Sequence, residues 1–519
     1  MKVNSAIAHI GAIIVFSLNV VSSNSVRAQV ASTPAAATLP ALDGPVVKIK
    51  QGKVQGYIAN DVVIFKGLPF AAPPVGDLRW REPASPAKWS SVRAANVFGG
   101  TCADVEDCLY LNIYAPAAAK KGAKLPVMVW IHGGAFVFGA GSSYDGSQFA
   151  KQGIVVVTVN YRLGRAGWFA HPALTQENPK SLHGNYGIMD QIAALEWVHD
   201  NIDKFGGNKR NVTIFGESAG AISINYLMLA PQARGLFNKA IAESGFGRLG
   251  AQPLHTADGK GSVEQNGVAF AGQAGITGSD AAAAKALRAL SLAELKKGLG
   301  GIGAVDAPLP MADGKLITMS AVDGFAKGLQ ARVPYLVGGN SDEASLTRRS
   351  TKATEQLAAI TEHRDAFLAA FDPDNTGDAD RIIARLITDA SISEPDRALA
   401  RFHSKQGQTT YVYHFSYVPQ SMRAQSFGLA HGGEISYVFN NPRAGTSFDD
   451  EGKAVASAAN KYWAEFAKTG NPGSAGGAVW PMFGANNEVL VEFGFSGVPA
   501  VQKDFHKSRL DWVEQNIVK

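Results

Sequence analysis

The stretch Val212-Thr213-Ile214-Phe215-Gly216-Glu217-Ser218-Ala219-Gly220-Ala221-Ile222-Ser223 decides how this chain is read. Four β-favouring residues run into a Gly-x-Ser-x-Gly pentapeptide, and helix-compatible residues follow. Strand, sharp turn, helix is the order that a nucleophile elbow requires. Ser218 is then the expected exposed and strained nucleophile. Gly216 and Gly220 are needed as glycines because a Cβ at either position would collide with the neighbouring strand or helix. Taken alone the pentapeptide is a weak signal in a chain with 56 glycines, so its surroundings must decide.

Working outward, residues 109–114, 127–131 and 154–159 are β runs, the last two nearly continuous apolar segments of the kind that a sheet covered on both faces demands. Between them and the elbow, Ile188, Ile192, Leu195 and Val198 mark helical spacing over residues 186–201. Strand and helix then alternate through 212–215, the helix after Ser218, and 240–242, which is the rhythm of an α/β fold with a doubly wound, mostly parallel sheet. Upstream, alternation in residues 46–65 with turns at Gln51-Gly52 and Asn60-Asp61 predicts small antiparallel strands. Downstream, residues 281–299 predict one amphipathic helix, 333–337 a strand entering Gly338-Gly339-Asn340, 350–405 mostly helix, 410–417 a strand, and 454–468 and 505–517 two closing helices.

The bulk numbers fit a large globular enzyme: 519 residues, 46% hydrophobic and 18% charged. The net charge of +5 is spread thinly, falls to about +3 without Lys2 and Arg27, and includes no basic run interleaved with aromatics, so no nucleic-acid partner is implied. Residues 1–28 read as a secretory signal cleaved near Ala28, which places the mature protein outside the cytoplasm, secreted or periplasmic. Residues 29–44, rich in Ala, Pro and Thr, read as a disordered leader, and 45–519 as a single catalytic domain with insertions at about 250–330 and 350–425. No later stretch reaches membrane-spanning length. Cys102 and Cys108 are the only cysteines. In an exported chain they read as a short-loop disulfide, because two cysteines without a nearby histidine cannot close a zinc shell. No metal and no cofactor are expected.

An elbow serine needs donors for the oxyanion that forms on attack. His132-Gly133-Gly134-Ala135-Phe136 follows directly on the buried run 127–131, where small residues can aim backbone N–H groups at the site, and the N–H of Ala219 is the expected third donor. A tight turn is the plainer reading of Gly133-Gly134. The serine also needs a base. Of the downstream histidines His255, His363, His403, His414, His431 and His506, His431 stands out for its loop, Gly428-Leu429-Ala430-His431-Gly432-Gly433. His414 lies inside a β run and reads as a satisfied sheet histidine. For the orienting acid, Asp342 and Glu343 follow the strand 333–337 and residue chemistry alone does not separate them.

Together these segments resemble the type-B carboxylesterase and cholinesterase family of α/β-hydrolases. The resemblance is carried by GLPFAAPP (67–74) with Leu78-Arg79-Trp80, EDCLYLN (106–112), HGGAF (132–136), NYRLG (160–164), GNYGIMD (184–190), FGESAG (215–220), NSDE (340–343) and HGGEI (431–435), with Gly470-Asn471-Pro472 and Trp480-Pro481 near the end. It implies Ser218 as nucleophile, Glu343 as acid, His431 as base, and Gly134, Ala135 and Ala219 as oxyanion donors. It also implies a shortened version of the family's first disulfide at Cys102 and Cys108, with Glu217, Ser244 and Glu434 as buried support beneath the histidine. Ala344 stands where the family usually has glycine. The implied activity is hydrolysis of a small-molecule carboxylic ester through an acyl-enzyme, in some similar exported bacterial members on bulky aromatic, plant-derived or polycarboxylate esters. Amide or thioester hydrolysis with the same residues, or a non-catalytic adhesion role on the same fold, are the alternatives.

Overall fold

The computed structural model describes residues 39–119, 122–300, 306–347 and 352–518. The predicted signal segment and residues 29–38 of the predicted leader lie outside them. The last leader residues are docked: Asp43 accepts a bond from the Ile58 amide at 2.9 Å, and Gln55 donates to the Leu42 carbonyl at 3.0 Å.

One eleven-stranded sheet organises the chain. Its strands are β1 (Tyr57–Ala59), β2 (Val62–Pro69), β3 (Tyr110–Pro116), β4 (Leu125–Ile131), β5 (Val155–Val159), β6 (Gly207–Glu217), β7 (Lys239–Glu243), β8 (Tyr335–Asn340), β9 (Thr410–Phe415), β10 (Val489–Phe493) and β11 (Ala500–Lys503). They lie in the order β11-β10-β9-β8-β7-β6-β4-β5-β3-β2-β1. From β5 through β10 every neighbouring pair is parallel, and antiparallel pairs close both edges. The β1–β2 hairpin turns at Asn60 and Asp61, whose φ of 48° and 64° match the positive values that a two-residue hairpin turn needs.

The apolar runs are continuous because both faces are buried. Along β4, Val127, Val129 and Ile131 enter one hydrophobic cluster while Met128 and Trp130 enter the other, the alternation of a pleated strand. Helices α1 (Tyr186–Asn201), α2 (Ala219–Leu229) and α3 (Glu394–Lys405) contribute to the first cluster, and α4 (Asp450–Thr469) to the second. A smaller cluster joins Phe367, Phe371, Ile382 and Leu386 to Trp512 and Val513 of α5 (Lys507–Asn516).

The expected single helix over 281–299 is two, Ala281–Ala289 and Leu292–Lys296. Ser291 breaks it by capping the second helix, its hydroxyl accepting from the Glu294 amide at 3.2 Å while Glu294 reaches back to the Ser291 amide at 2.7 Å. Cys102 and Cys108 are joined by a disulfide of 2.07 Å.

Candidate active site

Because β4, β6, β7 and β8 run parallel and adjacent, their C-terminal ends meet at one rim, which is where ligands bind in open α/β sheets. Each delivers one piece of the site. From β6 comes the elbow: Ser218 turns at φ 56° and ψ −121° before α2 begins at Ala219, a conformation that non-glycine residues adopt only under constraint. The constraint is visible. The Ser218 amide donates to the Glu243 carbonyl at 2.8 Å, and a Cβ on Gly220 or Gly216 would stand 2.0 Å or 2.4 Å from the Ile131 carbonyl oxygen. Only glycine lets strand, turn and helix approach this closely.

From β4 comes the loop 132–138. Gly134, Ala135 and Phe136 have consecutive positive φ values of 105°, 53° and 60°, a chain geometry that points successive N–H groups to one side. Gly133 lies against the elbow, where an added Cβ would meet Glu217 Oε2 at 2.6 Å and Ser218 Cβ at 3.1 Å. His132 does not belong to the reacting set. It is fully buried, stacked on Tyr161 at 4.3 Å, and burial pushes its pKa down to about 4. It serves as the core post on which the loop turns.

From β8 comes the candidate acid. Glu343 is buried, and its Oε2 is bonded to His431 Nδ1. Its Oε1 accepts from the Asn340 amide and from Ser244 Oγ, each at 2.6 Å. Asp342, the sequence's rival for this place, instead pairs its backbone with the histidine loop, its amide donating to the Leu429 carbonyl at 2.9 Å.

The histidine loop is stitched to the acid loop by bonds that the sequence did not announce. Ser345 Oγ accepts from the His431 amide at 2.9 Å and donates to the Asp342 carbonyl at 2.6 Å. Ser341 Oγ accepts from the Leu429 amide at 2.8 Å, and Asn340 Nδ2 donates to the Ala430 carbonyl at 3.2 Å. Ser341 lies within the NSDE motif, one residue before Asp342, and Ser345 lies two residues after Glu343; polar residues beside a strand-end acid were the only available signal.

His431 Nε2 is not hydrogen-bonded to Ser218 Oγ; it stands 3.0 Å from Oε1 of Glu217, the residue immediately before the serine. The cause is electrostatic. Burial opposes a charged imidazole, but Glu217 and then Glu343 outweigh it and hold the His431 pKa well above its ordinary value. The ring thus lies between two carboxyl groups, Glu217 at Nε2 and Glu343 at Nδ1. Ser244 and Glu434, expected as a pair, divide their roles: Ser244 bonds the acid, while Glu434 takes Asn340 Nδ2. Burial, followed by repulsion from Glu217 and Glu343, pushes the Glu434 carboxyl up to about 8. Glu243, not singled out in the sequence, is buried, accepts from Trp463 Nε1 at 2.8 Å, and has its pKa raised by burial and then by Glu434 and Glu217.

The expected sheet histidine is also different from its reading. His414 is buried on β9, but its Nε2 has no hydrogen-bond partner.

Comparison with known proteins agrees with this architecture. Residues 43–513 match the carboxylesterase family. The fumonisin B1 esterase of Sphingopyxis macrogoltabida is 37% identical over 484 residues, covering 85% of each chain. The medium-chain fatty acyl-CoA hydrolase precursor of Anas platyrhynchos is 34% identical, covering 88% of this chain and 90% of its own. A solved PNB esterase superposes with a TM-score of 0.73 at 31% identity, covering 90% of this chain and 99% of its own. With this sheet, this rim and these relatives, the chain belongs to the carboxylesterase family, has the α/β-hydrolase fold, and is a carboxylic ester hydrolase.

Proposed function

We propose that Ser218, His431 and Glu343 carry out this hydrolysis as a catalytic triad, with the N–H groups of Gly134, Ala135 and Ala219 as the oxyanion hole. The observation that carries the reading is the bond from His431 Nδ1 to buried Glu343, beside an elbow at which Ser218 is held in a constrained turn. That bond fixes which ring nitrogen faces the reacting side. In the cycle, neutral His431 leaves Glu217 and takes the proton of Ser218 Oγ as the oxygen attacks the ester carbonyl. The tetrahedral oxyanion is held by the three backbone donors, each worth about 3 kcal/mol of barrier. Collapse expels the alcohol, protonated by His431, and leaves an acyl-Ser218. Water, deprotonated by His431, then releases the acid.

The finer substrate reading is a bulky natural ester: aromatic, plant-derived or polycarboxylate. It is supported by a relative named for fumonisin B1. A thioester is the second reading, favoured by the relative named a fatty acyl-CoA hydrolase. A panel of oxygen esters and thioesters sharing one acyl group separates the two. In this reading residues 45–519 act as one catalytic domain, walled by the insertions at about 250–330 and 350–425, in a protein exported by residues 1–28. No helix among the described residues is long and apolar enough to cross a membrane.

Ser218→Ala is the decisive variant. Turnover of a short-chain nitrophenyl ester should vanish while circular dichroism is unchanged, and a fluorophosphonate should label the wild type on the peptide containing Ser218. Retained turnover, or label on another peptide, refutes the assignment.

A further inference from the structure

Behind the acid lies a second feature that ester hydrolysis does not use. Asp396 sits on α3 with 2% of its surface exposed, and neither of its carboxyl oxygens has a hydrogen-bond partner. It lines a cavity of about 50 Å³ together with His414, whose buried Nε2 is likewise unpartnered, and Arg397, whose Nε is unpartnered while its other nitrogens bind Asp511 and Glu514. Gly338 and Gly339 of β8 form the wall toward the active site. That wall is thin: a Cβ on Gly339 would lie 2.4 Å from Ile392 Cγ2 and 3.0 Å from Glu343 Oε1. Half-buried Glu488 and His506 form the outer rim.

Buried polar atoms in native proteins are satisfied by protein or by water. Here four such atoms belong to three residues of one chamber, and no protein group among the described residues hydrogen-bonds them. A chamber of this size has room for about three or four waters at roughly 10–15 Å³ each. Apolar contents would leave all four atoms bare, and a metal ion is disfavoured because the neighbouring Arg397 is cationic.

We propose that this chamber is a built hydration site, in which a small water cluster is anchored on the Asp396 carboxyl and on His414 Nε2, against the rear of the strand end that bears Glu343. Among the described residues no group neutralises the Asp396 carboxyl. Its oxygens have no cation: Arg397 on the same helix is committed to Asp511 and Glu514, and Arg248 to Glu394. Across from it stand Glu343 beyond β8, Tyr335 on β8, Tyr413 and His414 on β9, Glu488 before β10, and His506 with Arg509 at α5. Burial, and then repulsion from Glu343 and Glu394, pushes the Asp396 carboxyl well above the usual carboxylate range. His414 is neutral as well, lowered to about 3 by burial and by Arg509. A neutral carboxyl offers one donor and several acceptor sites, which suits water on both oxygens. The consequence for catalysis, that Glu343 keeps an uncharged, hydrated backing, rests on the triad reading; the site itself does not.

Two measurements on the mature enzyme test it. An atomic-resolution crystal structure should show at least two ordered waters within hydrogen-bond distance of the Asp396 oxygens and one on His414 Nε2. A dry chamber, or a protein donor rotated onto Asp396, overturns the proposal. The second is the unfolding equilibrium of wild type and Asp396→Asn between pH 5 and 8. A carboxyl that keeps its proton in the folded state, but loses it at a pKa near 3.9 when unfolded, makes wild type lose stability as pH rises. The ratio of unfolding constants, wild type over Asp396→Asn, should therefore grow about tenfold per pH unit until the folded pKa is reached. A ratio that is constant, or that falls with pH, means that Asp396 is ionised and paired, and the uncharged site is wrong. Failure of Ser218 labelling would remove only the catalytic consequence.

Discussion

Glu217→Gln should move the acid limb of the pH–rate profile to lower pH. His431 acts as a base only when neutral, so kcat/KM rises with pH through the pKa of the free enzyme's imidazole. In the wild type that pKa is raised by Glu217, 3.0 Å from Nε2, together with Glu343. A full charge at that distance, with an effective dielectric of about 20, corresponds to roughly 5–6 kcal/mol. The substitution removes less than this, because the carboxamide keeps a partial negative charge on its oxygen and Glu343 remains in place. Loss of one opposite charge at this range typically lowers a pKa by about 1–3 units, or about 1.4–4 kcal/mol at 1.36 kcal/mol per unit. The assay is kcat/KM for a soluble nitrophenyl ester from pH 5 to 9 at fixed ionic strength. The readout is the position of the limb, not its height, since Glu217 also borders Gly133 and its loss can lower the plateau. A limb displaced downward by about 1–3 units is expected. A limb that stays in place, or moves to higher pH, refutes the carboxylate clasp and with it the claim that Glu217 competes with Ser218 for the base.

Three further outcomes follow from the same geometry. Glu343→Gln should lower kcat by roughly 10³–10⁴ with the fold intact, because the amide leaves the ring in the wrong tautomer; a loss below tenfold in steady-state kinetics would return the acid's role to Asp342. Ser345→Ala removes the hydroxyl joining the His431 amide to the Asp342 carbonyl, and should lower kcat about fivefold with KM unchanged, equivalent to about 1 kcal/mol for one hydrogen bond. Ser345→Thr should restore most of that loss, whereas an equal loss in both variants would point to steric damage. Gly133→Ala places a methyl 2.6 Å from Glu217 Oε2 and 3.1 Å from Ser218 Cβ; displacing the oxyanion loop should cost roughly a hundredfold in kcat, while thermal melting shows an intact fold.

The sequence by itself determined the order of the sheet's central elements and where its chemistry lies. Apolar runs such as 127–131 and helical spacing in 186–201 are local constraints, because each reports the backbone and burial of its own segment. It also singled out a glycine-flanked histidine, His431, the base in the proposed triad. It did not show the break at Ser291, since a cap residue inside an Ala- and Leu-rich run is outweighed by the periodicity around it. Only the tertiary structure decided which partners the site residues take. Asp342 and Glu343 are adjacent carboxylates with identical local signals; the turn after β8 buries one on His431 and gives the other's backbone to the histidine loop. The contact of His431 with Glu217, the serine stitches at 341 and 345, and the chamber around Asp396 and His414 join segments 50 to more than 200 residues apart or fix which side of one motif faces inward. Electrostatic and hydrogen-bond energies depend on distance through space, and that distance exists only once the strands have been laid side by side.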